Sequence, residues 1–281
     1  MRKGYLIVTL ALMLAVSGCG STGVKESETE AQSVPAVEEQ TQQTEETVSE
    51  EITEEEVQAE DSEYQYELPF DKNSFKVFGL SIDDLDTLDS DGFAKLLEKY
   101  EIEPQEGTYT VELGDNNEDH CICGVINSPD KPYELAMQYG TGNISKVQIT
   151  KSNNSSGSFG LINEIAVTID GAPIPDGLYE GNPMEFGASY DEVYSYLNCD
   201  LFVDNDFTKK LEEEGYALDA WYYGYKAMLR CEEGRSIALT IFEDGDIKSD
   251  ADSTNVNYFF TFDGEQKLRE IRIRKVLPNK Q

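Results

Sequence analysis

Apolar side chains fall into three regimes along the chain. From Tyr5 to Val16 they run nearly unbroken (YLIVTLALMLAV). Residues 20–62 hold few of them, in no pattern and with no aromatic ring. From Glu63 the pattern becomes periodic. It predicts two short helices near 82–86 and 91–100, then strands near 108–113, 120–127, 132–139 and 144–150. A second series keeps that order, with helices near 190–198 and 206–214 and strands near 219–230, 236–243, 256–262 and 267–274. Between the two lie a polar stretch (SNNSSGSF, 152–159) and one more strand, Leu161–Asp170. Turn residues such as Gly114-Asp115-Asn116-Asn117 and Asp263-Gly264 punctuate the strands.

The two series also echo each other residue by residue. Phe78-Gly79-Leu80-Ser81-Ile82-Asp83-Asp84-Leu85 matches Phe186-Gly187-Ala188-Ser189-Tyr190-Asp191-Glu192-Val193. In each, a serine can cap a helix while an acid three residues on returns the hydrogen bond. Phe93-Ala94-Lys95-Leu96-Leu97-Glu98 pairs with Phe207-Thr208-Lys209-Lys210-Leu211-Glu212. Tyr139-Gly140-Thr141-Gly142 before 146–149 pairs with Phe262-Asp263-Gly264 before 270–273. The expectation is an α+β fold of two tandem modules after a disordered N-terminal tether. Each module would pack two short helices on a roughly four-stranded antiparallel sheet. The first covers 63–151 and the second 152–281, with the 161–170 strand as connector or opening strand.

Two helices and then a four-stranded antiparallel sheet, twice in tandem, resembles the β-lactamase-inhibitor-protein fold and its SmpA/OmlA lipoprotein relatives. The resemblance implies helices on one face of each sheet and a protein partner on the other. It transfers no functional residue.

Charge narrows the partners. The chain of 281 residues carries 56 acids against 22 bases, a formal net charge of −34. Nucleic acid would be repelled along its whole length. Residues 20–62 alone contain fourteen acids and one base, Lys25. Such a segment buries too little apolar surface to offset chain entropy, so it reads as an extended, self-repelling tether. From Glu63 onward, 42 acids still face 19 bases.

Arg2 and Lys3, the apolar run and the small residues behind it have the form of a secretory signal. The run falls short of the roughly 20 residues that span a bilayer. Val16-Ser17-Gly18-Cys19 resembles the lipobox of bacterial lipoproteins. That resemblance implies a signal peptide over 1–18, cleavage before Cys19, and a diacylglycerol on its thiol at the extracytoplasmic face of the cell membrane. Two acyl chains anchor stably where one does not.

Candidate chemistry is sparse. His120 is the only histidine. With Cys121 and Cys123 it lacks a fourth ligand at a recognisable spacing, so no metal and no cofactor are expected. Cys199 and Cys231 read as buried free thiols by default, and they could bond if a helix packs on that sheet. Residues 87–98 (TLDSDGFAKLLE) approach a calcium loop, but Thr87 stands where the first carboxylate belongs, and a capped helix start is simpler. Asp244, Asp246, Asp250 and Asp252 read as a solvated loop. No nucleophile elbow, phosphate loop, zinc-protease or dinucleotide motif occurs, and no catalytic residue is assigned.

The aromatics carry more. Alternation puts Trp221 and Tyr223 on one strand face and Tyr222 on the other, with Tyr225 continuing the first. One of these faces would contact a partner, making Trp221, Tyr222, Tyr223 and Tyr225 the candidate partner-binding residues. The reading is a lipid-anchored, extracytoplasmic, non-catalytic binding protein. It touches the membrane through its N-terminal diacylglycerol and has an envelope protein as its partner. The alternatives are an envelope hydrolase with an unrecognised acidic site and an extracytoplasmic metal or ligand carrier.

Overall fold

A computed structural model describes residues 64–102, 109–113, 121–126, 133–140, 142–153, 159–216, 218–247 and 253–278. The signal, Cys19, the tether, His120 and most of the polar stretch 152–159 lie outside these residues. The order is β1 (Lys76–Val77), α1 (Asp84–Thr87), α2 (Ser90–Lys99), β2 (Tyr109–Leu113), β3 (Cys121–Ile126), β4 (Tyr133–Tyr139), β5 (Ser145–Asn153), β6 (Phe159–Thr168) and β7 (Tyr179–Glu180). The second half adds α3 (Tyr190–Tyr196), α4 (Asp200–Val203), α5 (Phe207–Glu213), β8 (Trp221–Tyr223), β9 (Ala227–Glu232), β10 (Ser236–Phe242), β11 (Asn255–Phe262) and β12 (Leu268–Pro278).

The second copy of the echoed motif caps its helix as expected, whereas the first makes its serine–acid bonds just ahead of α1, whose N-cap is Asp83 without a side-chain cap bond. Glu192 N–H donates to Ser189 Oγ, and the Ser189 N–H donates back to the Glu192 carboxylate (2.7 Å). Ser81 repeats the reciprocal pattern, its N–H and hydroxyl both donating to Asp84 Oδ2 (2.8 and 2.7 Å). These bonds satisfy backbone donors that a helix start leaves open. Gly79 and Gly187 of the motif both have positive φ (77° and 88°), which glycine adopts without strain.

The α+β class is as expected; separate module sheets are not what forms. Ten strands make one antiparallel sheet in the order β2-β3-β4-β5-β6-β12-β11-β10-β9-β8. The two meanders are joined edge to edge by β6, the connector strand of the sequence reading. Val167 of β6 pairs with Val147 of β5 on one side and Ile271 of β12 on the other; Ile165 likewise sits between Ile149 and Ile273. A boundary at 151/152 would fall inside β5. A connector with apolar residues at alternate positions offers two unsatisfied ladder edges, and each meander supplies a matching final strand.

One row of registered side chains, Leu135, Ile149, Ile165, Ile273, Tyr258, Leu239 and Leu229, crosses the sheet fully buried. Leu85, Phe93, Leu96 and Leu97 from the first helices belong to the same buried cluster as Val193, Leu197 and Phe202 from the second. The core is therefore shared. A parallel row on the same face is polar: Lys151, Asn163 and Lys275 stand in register on β5, β6 and β12. They dock α1. Lys151 Nζ donates to the carbonyls of Leu85 and Leu88 (2.9 Å each), Asn163 to Asp86 (2.7 Å), and Lys275 Nζ to Asp83 (2.7 Å) and Asp86 (2.6 Å). The first helix is thus tied to the last strand.

Candidate functional site

The face of the sheet opposite α1 to α4 carries the other alternate residues, and α5 packs on its β8 end over Tyr222 and Met228. Across it runs the row Ala136, Gln148, Ala166, Arg272, Phe259, Ala238 and Arg230, and beside that Glu134, Thr150, Glu164, Arg274, Asn257, Thr240 and Met228. At the centre, Phe259 is flanked by two guanidiniums, Arg274 at 5.7 Å and Arg272 at 6.0 Å from the ring centroid. Ala238 stands on its other side, and the ring itself is half-buried.

Each arginine is held in place. Arg274 reaches across the ladder to Glu164, its Nε donating at 2.7 Å and Nη2 at 2.6 Å. Arg272 pairs with Glu270 on its own strand. Burial works against the Arg272 charge, but Glu270 outweighs it and raises its pKa. Burial lowers that of Lys146 on β5, with Glu134 opposing. The Thr240 hydroxyl donates to Asn257 Oδ1 (2.7 Å), whose amide donates on to Asn255 (2.9 Å). A hollow of about 290 Å³ opens here, lined among others by Asn257, Thr240, Arg274, Met228, Phe242 and Ile247. From β4 to β9, Lys146, Arg230, Arg272 and Arg274 balance Glu134, Glu164, Glu232 and Glu270 on this face, in a chain whose net charge is −34.

The four aromatics expected to meet a partner separate. Tyr222 and Tyr225 are buried, 4% exposed each, in a small cluster with Phe207 and Leu211 of α5. The Tyr222 N–H donates to Thr208 Oγ1 (2.8 Å), so α5 closes the edge of β8 at this point. Tyr223 is half-buried, edge-on to the Tyr64 ring at 5.3 Å. Trp221 remains exposed at 38%, at the end of the core row where the helix cover runs out. Leu201 and Val203 of the neighbouring α4 are exposed too, and a hollow of about 340 Å³ lined by Leu201, Asn198, Asp200 and Tyr223 lies beside them. Periodicity alone could not have separated these roles, because strand alternation ends at Tyr223.

The remaining candidates are absorbed locally. Asp89 caps α2, accepting from the Gly92 N–H at 2.8 Å, which is the capping alternative to calcium ligation. Asp244 accepts from the backbone N–H and hydroxyl of Thr254. Among the described residues, no group of three His, Cys, Asp or Glu side chains is placed to hold a metal, and no helix is long and apolar enough to cross a membrane. Cys121 and Cys123 lie on β3. Sequence reasoning missed Phe259 with its two arginines, although the period-two spacing of Arg272 and Arg274 already put both on one face.

Compared with family models, curated proteins and solved structures, the chain matches none.

Proposed function

We propose that this protein is a diacyl-anchored, extracytoplasmic binding protein that holds an envelope protein on the open face of its sheet. The supporting observation is the half-buried Phe259 with Arg272 and Arg274 of the next strand against its ring, on a charge-balanced stretch of an otherwise acidic molecule. An aromatic ring with ordered guanidiniums is the composition that dominates protein interfaces. The area is adequate. From β4 to β10 the face is about 25 Å wide at roughly 4.8 Å per strand and about 35 Å along its longest strand, near the ~800 Å² each partner contributes to a stable complex. The local charge balance removes the repulsion that the rest of the surface would impose on an acidic partner.

The hydrolase alternative needs a carboxyl raised to act as an acid. Where carboxylates of the described residues depart from their ordinary range, as at Asp83, Asp219, Asp244 and Asp263, they are lowered, by hydrogen bonds that make them caps and ion-pair partners. The anchor is supported by Val16–Cys19 and the apolar run before it.

The test places a photo-crosslinking phenylalanine analogue at position 259 of the full chain in its native cells. A control analogue replaces Glu213 at the end of α5. A discrete adduct from 259 that disappears with Arg272→Ala and Arg274→Ala is expected. Equal labelling from both positions would sink the open-face reading. In the same cells, Cys19→Ala should move the protein out of the detergent phase, and retention there with unchanged mass would remove the anchor.

A further inference from the structure

The hollow on the open face is built in chemical order. Arg274 of β12, Asn257 of β11, Thr240 of β10 and Met228 of β9 stand in one register row, so cation, amide, hydroxyl and thioether follow one another at about 4.8 Å per strand. All four line the hollow. Its polar floor is fixed in advance, the Thr240 hydroxyl donating to Asn257 Oδ1 (2.7 Å) and the Asn257 amide to buried Asn255 (2.9 Å). The end at Met228 is apolar. Phe242 is buried there, and Ile247 is held over it by its N–H donating to the Tyr225 carbonyl (3.0 Å).

Charge sets this hollow apart. Among the described residues two arginines line it, Arg274 and Arg230, and no acid does, although the chain has 56 acids and 22 bases. The hollow beside Leu201 carries Asp200 and Asp204, and one beside Phe186 carries Glu185 and Glu192. Glu164, which anchors Arg274 at 2.6 Å, lies on the far side of that arginine, on β6. A guanidinium has more N–H donors than one carboxylate takes up, so the anchor fixes the fork and leaves donors toward the hollow. Arg230 stands at the other flank, tied to Asp219 at 2.7 Å.

We propose that this hollow binds the C-terminal residue of a peptide chain ending in an apolar side chain. The α-carboxylate meets Arg274, the last amide meets Asn257, and the side chain lies among Met228, Phe242 and Ile247. At about 290 Å³ the space is at the lower end for a ligand pocket, enough for one residue. Phe259 also lines it, so the preceding residues leave across that ring. A free N-acyl amino acid shares this chemistry but leaves the ring uncovered. As a statement about the partner the proposal rests on the open-face reading; as a statement about the hollow it does not.

The probe is acetyl-Ala-Ala-Leu with a free carboxylate, added to the purified full chain in detergent with carbon-13 in its methionine methyls. The Met228 methyl resonance, assigned with Met228→Leu, should shift on titration. That of Met137, buried on the helix face, should stay. The same peptide as a carboxamide should bind at least tenfold more weakly, as should the free acid to Arg274→Gln. Arg230→Gln, a change at an exposed side chain, should weaken binding less. An unmoved Met228 methyl, or equal binding of acid and carboxamide, would overturn the proposal whatever Arg274→Gln does to folding. N-acetyl-leucine binding as tightly as the peptide would overturn the chain-end assignment. An adduct from position 259 in cells with no peptide binding in the tube defeats the hollow and spares the face; the reverse defeats the face alone.

Discussion

Lys275 joins the two halves of the molecule through a single side chain. It is 7% exposed and pairs with both Asp83 and Asp86, and Lys72 reinforces Asp83 at 3.1 Å. Burial alone would raise Asp83; hydrogen bonds from Lys275, Asn73 and Lys72 outweigh it and hold the carboxyl at about 2. Burial likewise disfavours the Lys275 ammonium, and the two aspartates raise its pKa in net. Lys275→Met should cost about 2–3 kcal/mol, less than a fully enclosed pair because both carboxylates reach solvent. Asp83 ionises at about 4 in the unfolded chain. Its contribution is complete above that value and disappears as pH falls from about 4 toward 2, while that of Lys275 disappears only above the ordinary lysine value of about 10.4. Urea melts across the acid range should show a shallower loss for Lys275→Met than for the parent. Identical acid profiles would deny the network this role.

The aromatic strand separates core from surface by single residues. Tyr222→Ala removes a ring from the cluster of Phe207, Leu211 and Tyr225 and should cost about 3–4 kcal/mol. Trp221→Ala, at the uncovered end of its row, should stay within about 1 kcal/mol. Paired thermal melts decide this, and equal losses would make Trp221 part of the core.

Among the elements, boundaries were largely legible. The runs read at 108–113, 120–127, 132–139 and 144–150 became β2 to β5 within a few residues, because alternation and turn residues are local signals. The run at 219–230 did not stay whole. Gly224 has φ 67°, and a Cβ there would stand 2.6 Å from the Tyr64 carbonyl oxygen, so the chain turns at this residue and β8 folds back on β9. The cue, a glycine among aromatics, was present; the close approach of residue 64 was not visible in any window. Helix α4 was missed because four residues show no period. Within α2, Asp89→Ala should cost about 1 kcal/mol by stripping the cap from the Gly92 N–H. Added calcium should leave the melting temperature of parent and variant alike unchanged; a calcium-dependent gain in the parent alone would restore the metal-loop reading.

At the scale of the whole molecule, two echoed series merge into one sheet. Self-similarity showed that the halves are alike, and composition showed that both are acidic, yet neither can say which strand pairs with which across long stretches of chain. That choice is made by β6, whose Val167 and Ile165 complete the ladders of both meanders. Unfolding should accordingly be one cooperative transition, with calorimetric and van't Hoff enthalpies equal for the portion after residue 63. Fragments 63–151 and 152–281 made separately should each lack the near-ultraviolet signal of fixed aromatic packing. Two resolved transitions, or one fragment folded alone, would restore independent modules.

The same seam governs how the chain assembles and how it fails. Arg274 meets Glu164 across 110 residues of sequence, so the β6–β12 ladder closes the longest loop in the sheet and should zip last, after each local meander has formed. Until then β6 and β12 are complementary open edges, and nothing in their register tells a strand of its own chain from that of a neighbour. Refolding at high concentration should therefore trap a reciprocal exchange in which the second half of one molecule completes the sheet of another, and the intertwined dimer should revert only through unfolding.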